Sequence, residues 1–195
     1  MLAVRTGLTA MLMPFTLLHP GATSTTPLSV PIRHGADPVL ALGRFVSYVP
    51  GQAAVTYDPK LVPAGAAAAV AYLPVGEKQA NVQLRVSGLL PNRKYGAHVH
   101  TNRCGPKPED AGPHYQHQKD PVTPSTNPKY ANPRNEVWLD FTTDARGNGF
   151  AQATQDWKFG DRHPHSVIIH TEHTHTGEGH AGTAGARLAC VNVDF

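Results

Sequence analysis

The residues most able to do chemistry are histidines, and their spacing suggests a metal. The sequence holds twelve, most of them between His98 and His180. His98 and His100 stand two apart in Tyr95-Gly96-Ala97-His98-Val99-His100. A strand repeats every two residues, so both imidazoles fall on one face and Val99 on the other. His114 follows in Ala111-Gly112-Pro113-His114-Tyr115, and His170 ends the apolar run Ser166-Val167-Ile168-Ile169-His170. Four neutral imidazoles without a neighbouring cysteine suit copper, zinc or nickel better than magnesium or calcium. His163, His165, His173, His175 and His180 have no comparable placement, and most of them are expected to be solvated loop residues.

The elements that must position these rings read as strands. Eighteen Gly and eighteen Pro interrupt the chain too often for long helices. Strand patterns occur at Arg44–Val49, Ala53–Tyr57, Ala67–Pro74, Ala80–Leu89, Tyr95–His100, Glu136–Thr142, Phe150–Trp157, Ser166–Thr171 and Arg187–Val193. Val82, Leu84 and Val86 alternate with Gln83, Arg85 and Ser87, the mark of a half-buried strand. Turn residues such as Asp144 to Gly149 separate the runs, which predicts an all-β antiparallel sandwich or barrel. Two long segments, Cys104 to Arg134 and Thr171 to Ala186, read as loops, and loops of this length are usually functional or disordered.

Composition narrows the rest. Hydrophobic residues make up 40% of the chain and charged residues 16%, enough for a packed core. The net charge is +3 and no Lys/Arg run tracks a polyanion, so nucleic acid is not an expected partner. Arg5, the apolar stretch Leu8 to Leu18 and the small residues Gly21, Ala22 and Ser24 read as an export signal over 1–24. That stretch is too short to span a membrane. A Thr/Ser/Pro-rich linker is expected over 25–39 and the folded domain over 40–195. Cys104 and Cys190, the only two cysteines, fit either a disulfide in an oxidising compartment or two reduced thiols.

Several of these motifs together resemble the copper/zinc superoxide dismutase family. Gly96 to His100, Cys104 and Ala111 to Tyr115 are similar to its copper-site signature. Val167 to His170 resembles the strand bearing the last ligand, and Gly182-Thr183-Ala184-Gly185-Ala186-Arg187-Leu188-Ala189-Cys190 its C-terminal motif. The resemblance implies an eight-stranded Greek-key β-barrel and copper held by His98, His100, His114 and His170. It also implies a Cys104–Cys190 disulfide and superoxide as the substrate outside the cytoplasm. Arg187 would attract and orient the anion, and His114 would carry a proton.

The sequence departs from that pattern where zinc would bind. Val122 stands near the place of the first zinc histidine, and Tyr130 to Asp144 contains no histidine. His117 and Asp120 are left as a weak second metal site, with Glu136 or Asp140 as oxygen donors, so a conventional zinc site is not expected. The aspartate that links the two metals' ligands has no clear counterpart, and the shortened loop after His170 implies a more open copper. The competing readings are an exported copper-buffering protein without turnover, and a β-sandwich without metal.

Overall fold

The structure, a computed structural model, describes residues 37–195. The export signal expected over 1–24, and the linker up to residue 36, lie outside the described residues. Nine strands follow: β1 Val39–Val46, β2 Ala54–Thr56, β3 Ala67–Val75, β4 Gln79–Ser87, β5 Lys94–His100, β6 Phe141–Thr142, β7 Gly149–Gln155, β8 Ser166–His170 and β9 Arg187–Asn192. They form one sheet in the order β6-β5-β8-β9-β2-β1-β3-β4-β7. Its two end strands nearly meet: a Cβ on Gly149 of β7 would stand 2.5 Å from the Phe141 ring of β6. The result is a nearly closed all-β barrel.

The alternation predicted for the fourth strand is present. Ala80, Val82, Leu84 and Val86 of β4 are buried, as are Ala68, Val70 and Tyr72 of β3 paired with it. Their side chains join Phe45, Tyr95, Leu139, Val167 and Ile169 in the main core. Burial of these apolar surfaces is the principal force closing the barrel.

Three expectations need correction. The first strand runs from Val39 to Val46 rather than from Arg44 to Val49. Leu40 and Leu42 lie on its outer face, 67% and 63% exposed, so the strand lacks the apolar/polar alternation that would announce it. The sheet is also not wholly antiparallel. β1 and β2 run parallel at Phe45–Ala54 and Val46–Val55, so close that a Cβ on Gly43 would stand 2.7 Å from that of Ala54. The segment expected as a strand over Glu136–Thr142 pairs continuously with β5 only at Phe141–Thr142. Before that it makes isolated bridges, Trp138 to His98 and Glu136 to Gln116.

The site lies on the outer face of β5 and β8. Tyr95, Ala97 and Val99 of β5 point into the core, as do Val167 and Ile169 of β8. The intervening His98, His100 and His170 therefore face outward, yet all three are buried. The loops at 101–135 and 171–186 cover them. The Cys104–Cys190 disulfide closes 86 residues and ties the first loop to β9. Cys104 N–H also donates to Asn192 Oδ1 at 2.9 Å, and Tyr57 Oη donates to Gly105 O at 3.0 Å. The second loop packs onto β5 at Gly96, where a Cβ would meet Glu172 O at 2.4 Å. Only glycine lets the two approach so closely.

Candidate metal centre

His98 and His100 of β5, His114 of the first loop and His170 of β8 each offer one ring nitrogen to a common point. Those four atoms lie within 4.8 Å of one another. An isolated bridge between His100 and His114 brings the loop histidine to the strand pair. The ring centroids of His98 stand 4.1 Å from His114 and 4.8 Å from His170. The structure thus brings together all four of the histidines that the sequence singled out. Among the described residues this is the one group of three or more potential ligands so arranged.

Hydrogen bonds fix which nitrogen each ring presents. His100 Nδ1 donates to Gly112 O at 2.9 Å and His170 Nδ1 to Gly185 O at 3.2 Å. His114 Nδ1 donates to Glu136 Oε2 at 2.8 Å. The Thr174 hydroxyl donates to Asp140 Oδ1 at 2.7 Å, so its oxygen accepts from His98 Nε2, also at 2.7 Å. Each bond places the ring proton on the outer nitrogen and leaves a lone pair on the inner one. His98 Nδ1, His100 Nε2 and His170 Nε2 are buried and have no hydrogen-bond partner. Buried polar atoms are normally satisfied, so three orphaned lone pairs converging on one point fit a metal ion.

Burial keeps these rings neutral. The imidazoles of His98 and His100 titrate well below the ordinary 6.5, chiefly through desolvation and then through repulsion from His114. His170 falls to about 3 for the same leading reason. Metal ligation needs a deprotonated nitrogen, so the depression favours it.

The ligands are held by side chains that the histidine spacing does not announce. Glu136 is 1% exposed, and its carboxylate takes three donors: His114 Nδ1, Trp138 Nε1 at 2.7 Å and Gln116 Nε2 at 2.7 Å. It sits against His114 Nδ1, the nitrogen opposite the converging lone pairs. Asp140 adds a further support, holding the Thr174 hydroxyl against His98. The available signal was the period of two over Glu136, Trp138 and Asp140, which puts all three on the face toward His98.

His117 and Asp120 do not come together as ligands. The His117 ring stacks on Trp157 at 4.8 Å, while the Asp120 carboxylate accepts from Val122 N–H and Ser125 Oγ inside its own loop. His163, His175 and His180 are exposed as expected, whereas His165 and His173 are half-buried.

Arg187 opens β9 beside the histidines and is half-buried. Its Nη1 donates to Pro108 O at 3.0 Å and its Nη2 to Gly112 O at 2.8 Å. Gly112 O thus accepts from a ring of the cluster and from the guanidinium together. Its φ of 72°, and a notional Cβ 2.5 Å from Thr101 Oγ1, restrict the position to glycine. Arg187, His114 and His170 all line a cavity of about 660 Å³.

The copper/zinc superoxide dismutase family model matches residues 69–193. The chain belongs to that family. The match runs from within β3 to just past β9 and includes all four histidines, both cysteines and Arg187. No curated protein matches the chain. Among solved structures, the clock protein EA4 superposes with a TM-score of 0.52 at 17% identity, covering 84% of this chain and 99% of its own. A double mutant of a SOD-like protein from Bacillus subtilis gives 0.48 at 17% identity, covering 64% of this chain and 86% of its own. At that identity, the likeness to EA4 concerns the fold alone. Family membership and the buried histidine cluster agree on a centre compatible with metal binding. The disulfide is compatible with an extracellular location. No helix among the described residues is long and apolar enough to cross a membrane.

Proposed function

We propose that the protein is an exported, copper-dependent superoxide dismutase, with His98, His100, His114 and His170 as the copper ligands. The observation that carries this reading is the set of buried, partnerless ring nitrogens converging beside an arginine. An all-imidazole donor set suits copper, and a dismutase needs a metal that changes redox state, which zinc does not. Copper bound there supplies a reversible one-electron couple, through which two superoxide anions and two protons become dioxygen and hydrogen peroxide.

The chain's own residues do the remaining work. Arg187 is a permanent cation at the cavity wall, held by two carbonyls so that it attracts and orients a small anion without exchanging protons. His114 lines the cavity, so its Nε2 would hold a proton from solvent whenever that nitrogen is not ligating the metal. Glu136 keeps the other proton of that ring on Nδ1. Asp140, acting through Thr174, fixes the His98 ring in the same manner. His117 and Asp120 have no part in this account, which needs no zinc. Export through a signal over 1–24 places the disulfide and the substrate in one oxidising compartment.

The test is the copper and zinc content of the purified protein together with its consumption of superoxide. One copper per chain and catalytic consumption without zinc are expected. Copper bound without turnover would leave a copper-buffering protein, and no stoichiometric metal would leave a structural β-barrel.

A further inference from the structure

The opening in front of the histidines is much larger than superoxide requires. Its volume of about 660 Å³ falls in the range of sites for organic ligands, roughly 300–1,000 Å³. A two-atom anion needs only a narrow approach. The lining is also of one kind electrically. Arg187, Arg162 and Lys119 are lasting cations, and Glu136 is the single carboxylate among the lining residues. That carboxylate is hydrogen-bonded to His114, Trp138 and Gln116 and offsets one of the three cations, which leaves the lining positive. Arg162 uses Nη2 on the carbonyls of Gln116 and His117, which leaves the rest of its fork for another acceptor. The wall also carries the apolar surfaces of Pro113, Tyr115, Pro124 and Ala184. The Arg162 guanidinium lies 5.1 Å from the centroid of the Tyr115 ring, so charge and aromatic surface are side by side.

We infer that this cavity binds a small organic anion with an apolar body, of the class of aromatic carboxylates. The carboxylate meets Arg162 and Lys119 near the rim, and the ring lies against the prolines and Tyr115. Such a molecule occupies the approach to the centre and competes with superoxide. The inference extends the dismutase reading of the same opening, but it rests only on the cavity's shape and charge, which are present without metal.

The experiment is calorimetric titration of the full chain, metal-free and copper-loaded, with benzoate, benzamide and formate as probes. Benzoate is expected to bind both forms, with benzamide and formate each much weaker. Arg162→Gln combined with Lys119→Gln, both at exposed positions, should weaken benzoate about tenfold. Equal affinity for formate would overturn the inference, because the apolar wall would then contribute nothing. Binding only to the copper-loaded form would overturn it too, since the carboxylate would then be a metal ligand. Failure to bind either form refutes it and leaves the dismutase reading untouched. Benzoate binding to a protein that does not consume superoxide would uphold it while that reading fails.

Discussion

The Nδ1 atom of His114 donates to Oε2 of Glu136 across 2.8 Å, and that carboxylate is almost fully buried. The bond does two things to the site. It fixes the tautomer of a ring that lines the cavity together with His170, Glu136 and Arg187. It also anchors that ring from behind, since Gln116 and Trp138 hold the carboxylate in turn.

Glu136→Ala would strip three donors of their acceptor at once. Leaving buried donors unsatisfied should destabilise the fold by about 3–5 kcal/mol. Loss of the outer support of a ligating histidine should weaken copper binding roughly 10- to 100-fold. Thermal unfolding and competitive copper titration measure the two effects. Unchanged copper affinity in a folded variant would show that Glu136 does not orient His114.

Arg187→Ala should lower the rate of superoxide consumption by about tenfold and flatten its dependence on salt, because the steering charge is gone. Arg187→Lys should recover part of the rate but not the two-carbonyl geometry of the guanidinium. Rates at low and high ionic strength check this. A variant lacking the charge but equally sensitive to salt would contradict the role.

Acid should destabilise the metal-free protein selectively. His98, His100 and His170 are held below 6.5 in the folded chain, with His170 at about 3. Above 6.5 both folded and unfolded chains carry neutral rings, so pH has no effect through them. As pH falls below 6.5 the unfolded chain takes up protons that the folded site refuses, and stability is lost. Each group contributes up to about 1.4 kcal/mol per pH unit in that window. Denaturant unfolding at pH 7.5 and 5 should show the fall, and His170→Leu should reduce it. A flat profile would mean that the rings are protonated in the folded state.

How far the sequence reveals this site depends on the distance over which each contact acts. His98 and His100 were legible because a strand's period is local and puts both on one face. His170 was legible because it ends an apolar run. Glu136 and Asp140 were visible only as possible oxygen donors. Their roles depend on contacts 22 and 34 residues away along the chain, with His114 and Thr174, which no local pattern encodes. The start of β1 escapes the local pattern for a related reason. Leu40 and Leu42 lie on the outer face, so apolar character there does not signal burial. The outward face of β5 and β8 is buried by loops rather than by another sheet, which is why alternation alone could not say how deeply the ligands sit.

Removing the disulfide should cost the first loop its anchor. A bridge closing 86 residues contributes about 4–5 kcal/mol in the chain-entropy view. Cys104→Ser with Cys190→Ser should therefore unfold at markedly lower temperature. It should also lose activity before it loses fold, since the same loop supplies Gly112 O to both His100 and Arg187. Calorimetry and superoxide consumption, followed along one temperature series, separate the two losses.

The central claim is most directly tested by pulse radiolysis of the full chain loaded with copper alone, following the decay of superoxide. The account predicts decay first order in superoxide, turning over many equivalents per copper and slowing as salt is added. Decay no faster than with the metal-free chain, at full copper occupancy, would contradict it.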